Sequence, residues 1–358
     1  MTDATTDTIV WLDGVDVETA VRVAGSKMGR LTELHLAGAT VPDAFSVTTQ
    51  AYRDHVVASG LDSFATEVIE GLGVDPPPDA VERAAERIRE EFAARPIAEE
   101  LAEQIRAAYL ELCLRCVEVN VPVAVRSSAT GEDSGDASFA GIFDTYLGIS
   151  GETRVLDAVR QCWASLFTGR ALDYRLRRGI SHLDMPMAVG VVKLVHARCS
   201  GVAFSAHPVT GKRDRIVIEG NWGWGEAVVQ GLVTPDHIEV GKSDNRVLRY
   251  DVAHKAIVSA FDYSIGAIVE IDMPDNLADR AILNEEEVCA IARAVSKIEE
   301  HYGYPVDVEW VLDRHRRPDE EVSIVQARPV TVAEPEEEAP VVGWDPVAMA
   351  AKHAFGSS

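Results

Sequence analysis

Three groups of residues in this sequence have types and spacing suited to holding phosphate. The first follows an apolar run, Val121-Pro-Val-Ala-Val125. Arg126 comes next, then Ser127, Ser128, Ala129 and Thr130, a loop of small and acidic residues through Asp136, and Ser138-Phe-Ala-Gly141. A guanidinium is a planar fork of donors. Hydroxyls and the backbone N–H groups of small residues add donors without steric cost. By composition alone an ordinary surface loop after a core strand stays open, because glycine and serine are the usual loop residues. The second group is Gly25-Ser26-Lys27, ahead of a helical pattern at 30–37. A helix start carrying a lysine can meet phosphate at the positive helix end; the alternative is a capped helix with a solvated lysine. The third is the pair Asp307-Val-Glu309-Trp310 and Ile324-Val-Gln326-Ala-Arg328-Pro329, on two strand-like stretches around a loop at 313–321. Strand alternation points Glu309 away from Val308 and Trp310 and puts Gln326 and Arg328 on one face. An acid, an amide oxygen and a guanidinium suit a hard cation bound with phosphate; a surface hairpin with scattered polar residues is the alternative.

The elements that must position these groups can be read coarsely. Residues 9–12 have the pattern of a short strand. Residues 50–120 read as helices, at 82–93, 98–107 and 109–119, with turn material at Asp75-Pro-Pro-Pro78. Their alternating charges read as solvated faces. Residues 146–149 continue a strand. Residues 153–178 are helical, and Trp163 and Phe167, at i and i+4, read as packing. The apolar run 187–195 reads as a buried strand. Strands follow at 199–205 and 216–219, and Gly223 and Gly225 then permit a tight turn. Residues 333–340 are acidic, proline-flanked and linker-like, and 341–358 are compatible with a short helix. Periodicity gives mixed α and β without naming a fold.

Bulk properties set further bounds. A chain of 358 residues exceeds one compact core, so two lobes or domains are expected. Lys plus Arg is 34 and Asp plus Glu is 58, a net charge of −24. That argues against nucleic acid or an anionic membrane surface as a partner, but not against a small phosphate-bearing ligand, which a few local basic groups and a hard cation can hold. No run of uninterrupted apolar residues has membrane-spanning length, and the first residues lack the basic region and apolar core of a secretory signal. Five cysteines at irregular spacing fit a reducing cytoplasm. Cys113 and Cys116 form a C-x-x-C inside a helical pattern with no second Cys or His pair nearby, and read as buried helix residues.

Arg126 to Asp133 followed by Asp136 to Gly141 resembles the phosphate-binding segment of the phosphoenolpyruvate synthase and pyruvate phosphate dikinase family. Residues 23–29 resemble that family's Gly-Gly-Lys-Gly stretch, with Lys27 in place and Ser26 and Met28 departing from it. Residues 41–49 resemble the strand that follows. Gly223-Trp-Gly225-Glu226, with Val228, Val229, Gln230 and Gly231 and then Pro235-Asp236, resembles its Gly-Leu-Gly-Glu signature. Asp307-Val-Glu309-Trp310 and Gln326-Ala-Arg328-Pro329 resemble its Asp-x-Glu-Trp and Gln-Ala-Arg-Pro motifs. The likeness runs from about residue 20 to 332. It implies an α+β, two-lobed ATP-grasp fold of the pyruvate phosphate dikinase N-terminal type: an N-terminal lobe at 1–185, a C-terminal lobe at 186–332, and an acidic linker and tail at 333–358. It implies that Lys27, Arg126 and Arg328 bind phosphate and neutralise charge during transfer, with Gly141 and Thr145 also on the nucleotide. Val192, Lys193, Leu194 and Val195 would line adenine, partly through backbone; Val192 stands where the family commonly has glutamine. Glu226 would hold ribose or orient a neighbour, and Glu309 and Gln326 would ligate Mg²⁺.

Longer members of the family add a swivelling domain with a phosphate-accepting histidine and then a substrate domain. None of the ten histidines here lies in a Thr-x-His context of that kind, and His237, after Pro235-Asp236, is most simply structural. The resemblance therefore implies a split enzyme similar to phenylphosphate synthase. In that arrangement ATP is cleaved to AMP and phosphate, and the β-phosphoryl passes to a histidine on a separate partner subunit, which then phosphorylates a phenol. A split phosphoenolpyruvate synthase, a rifampin-type phosphotransferase subunit and a non-catalytic ATP-sensing subunit are the alternatives.

Overall fold

The structure is a computed structural model and describes residues 7–130, 133–134, 137–138, 142–181, 185–225, 228, 231, 233–262, 264–315 and 321–330. The chain opens with β1 (Ile9–Trp11), α1 (Val17–Leu36) and β2 (Ala44–Val47). Four helices follow: α2 (Thr49–Ser59), α3 (Leu61–Glu70), α4 (Pro78–Ala94) and α5 (Glu99–Arg115). Next come β3 (Val123–Ala129), the short β4 (Asp133–Ser134) and β5 (Ala137–Ser138), β6 (Thr145–Ile149), α6 (Glu152–Ala164), α7 (Gly169–Arg178) and β7 (Met187–Lys193). The second half holds β8 (Ala197–Phe204), β9 (Arg215–Trp222), β10 (Asp236–Gly241), β11 (Val247–Asp251), β12 (Ile257–Asp262), β13 (Ala267–Asp272), α8 (Asp275–Ala278), α9 (Glu285–Tyr302), β14 (Val306–Asp313) and β15 (Ser323–Pro329).

Among the described residues two large antiparallel sheets result, beside the two-stranded hairpins β4-β5 and β12-β13. The first has the order β1-β2-β7-β3-β6 and the second β11-β10-β9-β8-β14-β15. Each has its own core. Behind the first sheet, residues of α2 to α7 such as Ile88, Phe92, Ile105, Trp163 and Phe167 pack on Val123, Val125 and Val189. Behind the second, the apolar face of α9 (Val288, Ile291, Val295) packs on Ile218, Val308 and Trp310. A third apolar cluster lies between them: Met28, Val192, Leu194 and Val195 meet Trp224, Val311 and Val325. Helix ends follow local chemistry. Asp16 and Thr48 cap α1 and α2 through the N–H groups of Thr19 and Ala51, and Asn284 and Glu287 form a reciprocal capping box on α9.

Several elements depart from the sequence expectation. The strand expected to end at Arg126 continues through Ala129, because Ser127 and Ser128 pair with Val189 and Ala188 of β7. These serines are buried strand residues, not the start of a loop. The helix expected from Arg30 starts at Val17 and kinks at Gly25. The single helix expected over 153–178 is interrupted after Ala164, and Thr168 restarts it by accepting the N–H of Ala171. The change of lobe expected at residue 185 falls ahead of β7, yet β7 is the middle strand of the first sheet. The chain passes from one sheet to the other only between Lys193 and Ala197. The tail at 333–358, with its expected helix, lies outside the described residues.

Candidate functional site

The phosphate-suited groups converge where the two sheets face each other. Gly25, at φ +78° and ψ 175°, breaks α1 into two helical runs. A Cβ at this position would lie 2.0 Å from the Ser128 carbonyl oxygen, so only glycine lets α1 press against β3 here. The second run then starts beside the strand, held by three bonds. The N–H of Met28 donates to Ser128 Oγ at 3.2 Å, Lys27 Nζ to the Ser127 carbonyl at 3.3 Å, and Ser26 Oγ to the Ala129 carbonyl at 3.4 Å. Met28 in turn lies over Gly190 of β7, where a Cβ would come within 2.3 Å of its sulfur. The two departures from the Gly-Gly-Lys-Gly likeness therefore each have a packing role.

Arg126 joins the sheets. On β3 it is flanked by Gly190 of β7 and Thr145 of β6. Its guanidinium reaches across to β15, where Nη1 donates to the Val325 carbonyl at 3.1 Å and Nη2 to Gln326 Oε1. Among the described residues its buried Nε has no hydrogen-bond partner. Gln326 lies directly opposite Glu309 of β14, and Arg328 opposite Asp307. Arg328 Nε donates to Asp307 Oδ2 at 2.7 Å, and the buried Oδ1 of Asp307 has no partner among the described residues. Arg126, Thr145, Glu309, Gln326 and Arg328 thus come from strands of both sheets, and Lys27 of α1 bonds the backbone of β3 at Ser127, next to Arg126. Among the described residues no group of three or more His, Cys, Asp and Glu side chains could hold a metal by itself. Glu309 and Gln326 offer two hard oxygen donors, which fits Mg²⁺: that ion commonly takes one or two protein ligands and fills the rest of its shell with substrate phosphates and water.

The base end is built differently from its expectation. Val192, Leu194 and Val195 are buried in the cluster between the sheets. Much of the nearby backbone is already bonded within the protein. Lys193 N–H donates to the Asp43 carbonyl and Leu194 N–H to that of Pro122, both at 2.8 Å. The Val195 carbonyl accepts from the Trp224 indole at 3.1 Å. Gly141 and Glu226 lie outside the described residues.

Residues that sequence reasoning treated as ordinary prove to be anchors. Asp236 and Lys255 form a fully buried pair at 2.6 Å. Asp236 also accepts from the N–H groups of Ala253 and Ile282 and from the Tyr250 hydroxyl. The Pro-Asp element is therefore structural, and it secures the segment leaving β11. His237 is structural as expected, with Nδ1 3.1 Å from Glu219 Oε1 and Nε2 3.6 Å from Glu239. Cys113 is buried in α5, while Cys116 caps that helix and is partly exposed. Burial pushes the Cys116 thiol up, away from nucleophilic character.

Two facing sheets with a phosphate-suited set between them define an α+β ATP-grasp nucleotide-binding domain. Residues 21–344 match the family described as pyruvate phosphate dikinase, AMP/ATP-binding domain, and the chain belongs to that family. It is 40% identical over 348 residues to the phosphoenolpyruvate synthase of Aeropyrum pernix, covering 90% of this chain and 42% of that protein. It is 40% identical over 311 residues to a probable phosphoenolpyruvate synthase of Methanothermobacter thermautotrophicus, covering 87% and 44%. A probable phosphoenolpyruvate synthase of Methanocaldococcus jannaschii is 39% identical over 323 residues, covering 90% and 26%. The chain spans less than half the length of these relatives. No helix among the described residues is long and apolar enough to cross a membrane.

Proposed function

We propose that this chain binds Mg·ATP between its two sheets and performs the ATP-cleaving half of a dikinase-type phosphotransfer. The triphosphate lies over Lys27, Arg126 and Arg328, with Thr145 beside it and Gly141 and Glu226 completing the nucleotide set. Bound through Glu309 and Gln326, Mg²⁺ would supply charge neutralisation to the phosphates. The β-phosphoryl passes to an imidazole nitrogen of a histidine on a separate subunit, the γ-phosphoryl leaves as phosphate on water, and AMP is the third product. The catalytic contribution of this chain is positioning together with preorganised positive charge, the main resources available for phosphoryl transfer. The observation that carries this proposal is Arg126, one guanidinium bonded to both the backbone and the Gln326 side chain of the opposite sheet. In this arrangement the guanidinium that ties the two sheets together is the one assigned to the phosphates.

A phenol is the acceptor that the phenylphosphate synthase resemblance favours. The names of the relatives favour pyruvate as a second reading. A purely ATP-sensing role is disfavoured by the complete polar set, since Lys27, Arg126, Glu309, Gln326 and Arg328 are all present.

The test supplies the chain with Mg²⁺, ATP labelled at the β-phosphorus and a phosphohistidine-bearing subunit, then resolves AMP from ADP. AMP together with label on the partner's histidine is the expected result. ADP as the product, or binding without turnover under every pairing, contradicts it. Pyruvate and phenol added in parallel then separate the two acceptors.

A further inference from the structure

Trp224 stands where the Gly-Leu-Gly-Glu likeness has leucine, and the proposed chemistry gives an indole N–H nothing to do. The structure gives it a specific partner. Its Nε1–H donates to the Val195 carbonyl at 3.1 Å in a buried bond, and the residue is only 8% exposed. Its backbone N–H donates to the Ser259 carbonyl of β12 at 3.2 Å, and its ring centroid lies 6.3 Å from that of Phe261. The turn that carries it is pressed onto the same strand: Gly223 has φ +73°, and a Cβ there would lie 2.1 Å from the Ser259 carbonyl oxygen. Trp224 therefore joins three segments: the glycine turn, the β12–β13 hairpin and the connector between the sheets.

The connector is held to the first sheet through the bonds of Lys193 to Asp43 and of Leu194 to Pro122, and just past β14 of the second sheet the N–H of Arg314 donates to the His196 carbonyl at 2.8 Å. The indole bond is a direct polar tie from the second sheet's turn to this stretch. A leucine could fill volume but could not donate, and the Val195 carbonyl would lose this donor while buried.

We propose that Trp224 is a positioning residue for the base end of the nucleotide site: its indole fixes the connector against the glycine turn at the separation that accepts a purine. This rests on the Mg·ATP reading above. The hydrogen bonds that position the phosphate end, at 27 to 28 and 325 to 328, do not involve the indole, and a phenyl ring at 224 keeps the apolar contact with Met28 and Val325.

The test compares two ligands, ATP and inorganic tripolyphosphate, on the full chain in the presence of Mg²⁺. Tripolyphosphate carries the same phosphates and no base. Trp224→Phe removes the donor while keeping most of the ring. It should weaken ATP about tenfold, the scale of one buried hydrogen bond, and leave tripolyphosphate unchanged. Trp224→His keeps an N–H donor and should recover part of the ATP affinity. On the wild-type chain, hydrogen exchange gives a readout independent of either variant's folding: ATP should protect the amides of 193–197, and tripolyphosphate should not. Equal weakening of both ligands, or ATP affinity unchanged in Trp224→Phe, overturns the proposal while leaving the nucleotide reading intact. Equal protection of 193–197 by both ligands overturns it as well. Failure of the wild-type chain to bind ATP at all overturns both.

Discussion

Gly25→Ala is the change that most sharply tests how α1 is fitted to the phosphate site. Its backbone, at φ +78° and ψ 175°, lies in a region used essentially by glycine alone, which costs any other residue about 1–3 kcal/mol. The added Cβ would also sit 2.0 Å from the Ser128 carbonyl oxygen and 2.6 Å from Ser128 Oγ. Reaching ordinary contact requires α1 to move off β3 by more than an ångström. The three bonds at Ser26, Lys27 and Met28, at 3.2–3.4 Å, cannot all survive that shift. Loss of two of them adds about 2 kcal/mol to the backbone cost. Gly38 is the internal control, since it also has positive φ, +82°, but a Cβ there meets nothing within 4 Å. Gly38→Ala should cost only about 1 kcal/mol, and Gly25→Ala about 4 kcal/mol, combining strain and lost bonds. Thermal unfolding should place the two melting points roughly 6–12 °C apart, at about 2–4 °C per kcal/mol for lobes of this size. Calorimetric titration should show Mg·ATP bound at least tenfold more weakly by Gly25→Ala and unchanged by Gly38→Ala, since a single bond to a charged group is worth about that factor. If the two variants melt together and both bind ATP as the wild type does, the argument from the α1–β3 contact is wrong.

Three further outcomes are expected. Glu309→Gln should leave the melting point within a few degrees of wild type but abolish most of the Mg²⁺ dependence of ATP binding, measured by titration with and without the metal, because Glu309 is the anionic member of the proposed ligand pair. Asp236→Ala should destabilise the second sheet by about 3–5 kcal/mol, because Lys255 is left charged and buried. In a denaturant melt the double replacement Asp236→Leu with Lys255→Met should recover only the charge part of that loss, since Ala253, Ile282 and Tyr250 still lose their acceptor; a double variant no more stable than Asp236→Leu alone contradicts the pairing. His55 is stacked on Trp163 at 5.0 Å, and burial, with a smaller contribution from Arg160, pushes it down to about 4. The unfolded chain then takes up this proton first. The stability it contributes is full above about pH 6.5 and is lost as pH falls towards 4. His55→Phe should flatten the pH dependence of the melting point across that window.

Much of the site was legible because its chemistry is carried by local runs. Glu309, Gln326 and Arg328 sit on strands whose alternation sets their faces; Gln326 lies opposite Glu309, and Arg126 of the other sheet bonds Gln326, a meeting that no strand pattern foretells. What sequence missed depended on pairings between distant segments. Nothing in Gly25 alone tells that Ser128, a hundred residues on, closes against it. β7 reads as the start of a second lobe because it follows a turn; only its pairing with β2 and β3 places it in the first sheet. Lys255 and Trp224 look unremarkable in sequence, because their significance lies in Asp236 and the Val195 carbonyl across the fold. Cys113 was legible as a buried helix residue, whereas Cys116, expected to be buried too, caps the helix and is partly exposed because α5 ends at Arg115.

The most direct measurement is a calorimetric titration of Mg·ATP into the chain and into Arg126→Met, with adenosine as the base-only control. One saturable site in the wild type, weakened at least tenfold for ATP in Arg126→Met with adenosine unaffected, is the predicted result, since one charged hydrogen-bonding group on phosphate contributes about that much. Equal ATP affinity in the two proteins would show that the triphosphate does not lie at the junction of the two sheets.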